Sequence, residues 1–188
     1  MPTVLKLKTA YVVNELNPVN EKAAQLQKFV NLFERKPEAG VLQPTVKAST
    51  KNGVVVLKAG NTTWEEDLPP SLGGTNTTIG PLQHLLGSLA GCGAGLIKNT
   101  LAPLMDISVD SVDVEAQCEF DVKGVLGIEG AAGDIRNVSF QLTVYSDDSP
   151  EKVEEMVEIW KQRAPVYLCF QKPVQISTKL VVKKPEKE

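Results

Sequence analysis

The 188-residue sequence predicts an α+β fold, and three observations carry that prediction. Segments with strand character are grouped before and after a long, almost uncharged helical segment at 81–101, without the regular strand–helix alternation of a doubly wound sheet. An Asn52-Gly53 dipeptide sits between two extended runs over 42–58, which is the signature of a hairpin. Apolar and polar residues alternate strictly over 107–122, which marks a half-buried antiparallel strand. The expected layout is one domain over 1–188, with antiparallel sheets wrapping central buried helices. Residues 1–40 form a strand and helix extension, and 41–188 the core.

In chain order, Val4 to Val13 reads as a strand, closed by the turn residues Asn14 to Pro18. Asn20 is placed to cap a helix to about Arg35, since Ala24, Leu26, Phe29, Val30 and Phe33 recur near helical period and Pro37 and Gly40 stop it. The hairpin over 42–58 follows, and then residues 65–80, with their prolines, glycines and hydroxyls, read as a loop. Pro81 opens the helix Pro81–Leu101, which carries no charge before Lys98 and is therefore expected to be buried on all sides. Its four internal glycines each cost about 1 kcal/mol of helix propensity relative to alanine, which calls for close approach of another element.

On the strand at 107–122, Val112, Val114, Ala116, Cys118, Phe120 and Val122 share one face. A second strand is expected at 136–145. A helix then starts at Ser149-Pro150-Glu151, with a capping serine, a proline at the first position and an acid that complements the helix dipole. Its apolar stripe is Val153, Met156, Val157 and Trp160. Ala164-Pro165 interrupts it, a short helical turn carries Tyr167 to Phe170, and a last strand runs from Pro173 through Val182 to a solvated tail at 183–188.

Composition excludes several function classes. The net charge is −3 with only three arginines, Arg35, Arg136 and Arg163, so no basic face is available for nucleic acid. No apolar run reaches the roughly 18 residues of a membrane span, and the N-terminus lacks the features of a signal peptide. The expectation is a soluble, cytoplasmic protein without a membrane partner. Three cysteines at wide spacing, Cys92, Cys118 and Cys169, suit neither a disulfide framework nor a zinc site and read as reduced thiols. With one histidine, His84, neither a multi-histidine metal site nor a conventional hydrolase triad is easily built, and no cofactor is expected.

Cys92 is the thiol of interest, because Gly91 and Gly93 leave room beside it for a substrate. A cysteine on an apolar helix also serves as a small packing residue. Gly73-Gly74-Thr75-Asn76, Gly80-Pro81, Leu85-Leu86 and Leu89-Ala90-Gly91-Cys92 resemble the OsmC/Ohr family signature, in which a proline opens a central helix and the peroxidatic cysteine lies eleven residues on. Lys123 to Gly127, the strand at 136–145, the helix at 150–163 and Ala164-Pro165-Val166 through Pro173-Val174 resemble the second half of the same family, so the resemblance covers nearly the whole chain.

The resemblance implies an intertwined homodimer with sheets around two central helices and an active site at each interface. It also implies a cysteine that attacks a hydroperoxide, an arginine that stabilises the thiolate, a glutamate that orients the arginine, and a second cysteine that resolves the sulfenic acid. Cys92 takes the first role. Leu82 occupies the glutamate position, Ala164 that of the resolving cysteine, and no arginine lies between Arg35 and Arg136. Without a cation, desolvation in an apolar helix disfavours a charged thiolate. Arg163 is then the substitute cation, and Ser88, one turn before Cys92, the hydrogen-bonding partner. Cys118 is assigned to the core, Cys169 to packing, and His84, about 12 Å along the helix from Cys92, to structure.

Two functions follow as expectations. One is a thiol-dependent reduction of organic hydroperoxides centred on Cys92, with an external thiol as reductant. The other is a catalytically inactive module that binds a small apolar ligand at the dimer interface.

Overall fold

The computed structural model describes residues 18–184, so the expected strand at Val4–Val13 lies outside the described residues. The first element is helix α1, Pro18–Arg35. Asn20 lies inside it and is not its cap. The helix stops where expected, at a 3₁₀ turn over Pro37–Gly40.

The expected hairpin is the first half of a three-stranded antiparallel meander: β1 Lys47–Lys51, β2 Val54–Ala59 and β3 Thr62–Glu66. Asn52 and Gly53, with φ of 52° and 87°, make the turn between β1 and β2. β3 takes up Glu65 and Glu66, which sequence reasoning gave to the loop. It forms because each of its residues pairs with β2, Trp64 lying opposite Leu57.

Helix α2, Pro81–Leu96, is followed by a π-helical segment at Ile97–Leu101 and the short helix α3 at Ala102–Leu104. The helical run therefore passes the expected end at Leu101, with altered pitch from Ile97 on. α2 is not buried on all sides within one chain. Leu89 and Gly93 are buried, whereas Gly87, Ser88 and Gly91 are exposed.

The long hairpin of β4, Val109–Phe120, and β5, Ile135–Ser146, forms the second sheet. Along β4 the positions 112, 114, 116, 118 and 120 are half-buried and those between them exposed, as the alternation predicts. Val122 departs from the strand and starts the short helix α4, Val122–Val125, whose N-cap Asp121 accepts a hydrogen bond from the Lys123 amide. Helix α5, Pro150–Arg163, begins at the expected proline, although the Ser149 side chain makes no capping bond. Helix α6 is Pro165–Gln171.

The core lies where α5, the π segment, α3 and the start of β4 meet. Ile97, Met156, Trp160 and Ala164 are at most 1% exposed, with Leu101, Ala102, Ile107 and Val109 around them. Trp160 stacks on Phe140 of β5 at 5.0 Å and 13°, and Tyr167 of α6 closes the aromatic cluster at 4.8 Å from Trp160. This explains one glycine of α2. A methyl group at Gly93 would lie 2.7 Å from Cζ of Phe140 and 3.5 Å from Cζ2 of Trp160. Gly87, Gly91 and Gly95 have nothing within 4 Å of such a group, so close approach accounts for only one of the four.

The expected final strand is not formed. Residues 173–184 carry no regular secondary structure, and Ile176, Leu180 and Val182 are each 83% exposed. The alternating pattern is present, but no strand edge in the described chain pairs with it. Among the described residues no helix is long and apolar enough to cross a membrane.

Candidate functional site

The approach to α2 is fixed by one carboxylate. Asp67, 3% exposed, directly follows β3. Its Oδ1 accepts the Leu68 amide at 2.8 Å, and its Oδ2 accepts the amides of Thr75 (3.1 Å) and Thr77 (3.0 Å) together with both threonine hydroxyls. These bonds, led by the Thr77 amide and the Thr75 hydroxyl, hold its carboxyl well below the usual carboxylate range. The loop folds so tightly here that a side chain at Gly74 would strike the Leu68 carbonyl. The Asp67 amide in turn donates to the Ile79 carbonyl, which brings the loop to Gly80 and Pro81 at the start of α2.

This arrangement sets Glu66 beside His84 on the first turns of α2. Glu66 is 8% exposed, and its Oε1 lies 2.6 Å from Nδ1 of His84, a close contact that falls outside hydrogen-bond alignment. Trp64, two residues earlier on the same face of β3, meets the imidazole edge-on at 6.4 Å and 70°. Sequence reasoning missed Glu66. The only local signal is that Trp64 and Glu66 share a strand face.

Cys92 lies two turns further along α2, half-buried and packed against the core cluster, between exposed Gly91 and buried Gly93. Its backbone is anchored on one side by the Phe140–Trp160 stack against Gly93, while the Gly91 side faces open space. Ser88 shares its face, but its hydroxyl donates back to the His84 carbonyl at 2.9 Å. Arg163, the last residue of α5, is exposed and makes no ion pair with a described residue. Neither is hydrogen-bonded to Cys92. Ala164, at the expected position of a resolving cysteine, is a core residue with no exposed surface. Cys118 sits on the inward face of β4, and Cys169 is exposed on α6; all three thiols are free.

Among the described residues no three His, Cys, Asp or Glu side chains converge as a metal site. A cleft of about 740 Å³ lies between β5 and α5, lined by Phe140, Leu142, Val144, Val157, Trp160 and Tyr167 among others, and Cys92 does not line it.

Residues 74–179, more than half of the chain, match the model of the family described as OsmC-like protein. Among solved structures, the OsmC-like protein from Mycoplasma pneumoniae superposes with a TM-score of 0.58 at 18% identity, covering 70% of this chain and 89% of that one. An organic hydroperoxide resistance protein from Elizabethkingia anophelis, solved with thiocyanate bound, gives 0.55 at 17% identity, covering 71% and 91%. The organic hydroperoxide resistance protein OsmC from Legionella pneumophila gives 0.52 at 15% identity, covering 70% and 91%. No curated protein matches the sequence. At these identities the structural likeness establishes the fold, and the family match carries the membership. From the match over residues 74–179 and the arrangement of β3, α2 and the β4–β5 hairpin, the chain belongs to the OsmC-like family.

Proposed function

We propose that the protein reduces organic hydroperoxides through Cys92, as a cytoplasmic homodimer without a cofactor that draws its electrons from an external thiol. The observation that carries this reading is the placement of Cys92. In an OsmC-like fold it stands eleven residues after the proline that opens α2, half-buried, with a side-chain-free approach at Gly91. The thiolate sulfur attacks one peroxide oxygen, the O–O bond breaks as the S–O bond forms, and the leaving alkoxide takes a proton to become an alcohol. Sulfur is oxidised to sulfenic acid. With Ala164 at the expected resolving position, one external thiol condenses with the sulfenic acid and releases water, and a second regenerates Cys92 and leaves as a disulfide.

Surface area supports the dimer. The chain exposes 15016 Å², whereas a compact monomer of its mass exposes about 8,800 Å². Even if the residues outside 18–184 contributed the full area of an unfolded chain, about 3,300 Å², an excess of roughly 3,000 Å² remains. Obligate interfaces bury about 2,000–5,000 Å² over both partners, or roughly 1,000–2,500 Å² per chain, which this excess covers. Exposed large apolar residues lie in several segments, among them 41–46, 125–128 and 174–182.

The test uses protein in which Cys118 and Cys169 are replaced by serine, treated with an organic hydroperoxide in the presence of dimedone. A dimedone adduct on Cys92 together with alcohol formation is the expected result. An unmodified Cys92 would instead favour a module that binds a small apolar ligand, a reading for which the cleft between β5 and α5 is the supporting observation.

A further inference from the structure

We propose that residues 4–13 fold back along α1 and cover the apolar patch that this helix leaves exposed. Ala23, Leu26 and Val30, at helical spacing, are half-buried, and α1 rests against α3 and the π segment. Lys22 adds a hydrogen bond to the Asn99 side chain of the π segment. The apolar stripe of α1 is wider than this contact. Phe29, Leu32 and Phe33 lie beside the half-buried residues and are 48%, 39% and 40% exposed. At 100° per residue the three fall within about 100° of helix surface, so they form one patch. The Phe29 and Phe33 rings stand 6.0 Å apart, and Gly40 of the 3₁₀ turn lies against the Phe33 ring.

The occupant is argued from the length of chain that precedes α1 and from where that chain ends. Seventeen residues come before Pro18, the first residue of α1. In an extended segment Leu5, Leu7, Tyr11 and Val13 share one face, and Lys6 and Lys8 lie on the other. Such a segment covers an apolar patch with its first face and keeps both lysines in water. Phe29 and Phe33, eleven and fifteen residues past Pro18, lie about 16 and 22 Å along the helix axis. If the turn residues Asn14 to Asn17 reverse the chain, an extended run back from Val13 at about 3.3 Å per residue brings Leu7 to about 20 Å, between the two phenylalanines.

A tether of four residues holds this segment beside the patch at an effective concentration of about millimolar, which a second copy in dilute solution does not reach. The segment and α1 then form a two-element layer over α3 and the π segment, which continue the helix of Cys92. This layer lies outside the region 74–179 that matches the family, so it is a feature of this chain beyond the shared fold. It stands independently of any reactivity at Cys92.

The experiment is hydrogen exchange of the full chain, read by mass spectrometry on peptides that cover residues 3–13. Exchange there is expected to be at least about tenfold slower than in a free peptide of the same sequence. The double substitution Phe29→Ser and Phe33→Ser should abolish this protection while peptides of β4 and α5 keep theirs. Exchange at the free-peptide rate in the parent protein overturns the proposal, and so does protection that survives the double substitution. A second measurement tells the chain's own segment from that of another copy. Protein carrying Leu7→Cys and Leu32→Cys is oxidised mildly, and the linked peptides are identified by mass spectrometry after separation on a denaturing gel without reductant. A link between positions 7 and 32 in a band of single-chain mass is expected. The same link in a band of doubled mass makes a second copy the occupant and overturns the proposal, as does the absence of any link between the two positions. If the double serine variant does not fold, this cross-link decides.

Discussion

Glu66 and His84, eighteen residues apart in sequence, stand 2.6 Å apart in the fold. The short path between them is closed by Asp67, which gathers the Thr75–Thr77 segment and delivers the chain to the start of α2. The position of the one histidine therefore depends on a neighbouring carboxylate that does not touch it.

Asp67→Ala should loosen this loop without unfolding the protein. Hydrogen exchange at the Thr75 and Thr77 amides is expected to speed up at least about tenfold, while amides of β4 and β5 keep their protection. Because the folded Asp67 carboxyl ionises well below the usual carboxylate range, its contribution is present above that range and lost only as pH falls through the lowered value. Exchange at these two amides should therefore stay slow from pH 7 to about pH 4 in the parent protein. Early loosening in that window would contradict the role given to Asp67.

The glycines of α2 should separate by environment. Gly93→Ala forces a methyl group to 2.7 Å from Phe140, whose ring is held by its stack on Trp160, and is expected to destabilise by about 1–3 kcal/mol in urea denaturation. Gly91→Ala meets nothing within 4 Å in the chain and gains about 1 kcal/mol of helix propensity, but should weaken dimerisation. A Gly91→Ala dimer as tight as the parent would remove this face from the interface.

Truncation after Lys172 tests the segment that has alternation but no pairing partner. Ile176, Leu180 and Val182 are each 83% exposed in one chain. Removing them should shift the protein from dimer towards monomer in light scattering at micromolar concentration. A truncated protein that remains fully dimeric would place the segment outside the interface.

The three thiols should also rank in alkylation of the native protein, read by mass spectrometry. By exposure alone, Cys169 reacts first and the half-buried Cys92 and Cys118 follow. A Cys92 that overtakes Cys169 at pH 7 would mark it as activated by its surroundings, whereas a Cys92 that reacts like Cys118 would mark it as packing.

Sequence by itself determined the elements whose signals are local. The alternation along β4, the prolines that open α2 and α5 and the Asn52-Gly53 turn all fall where they were expected. Each depends on backbone geometry or side-chain period within a few residues. Only the tertiary structure decided the rest. Thr62–Glu66 carries two acids and became a strand because β2 offers it a pairing edge. Val174–Val182 has the better strand pattern and stays unpaired, because no edge in the described chain reaches it. α2 looked buried from its lack of charge, yet one face is open, since composition reports what a surface tolerates and not what covers it. Glu66 could not be tied to His84 by any spacing rule, because their contact is made by a loop whose path is set by hydrogen bonds to Asp67.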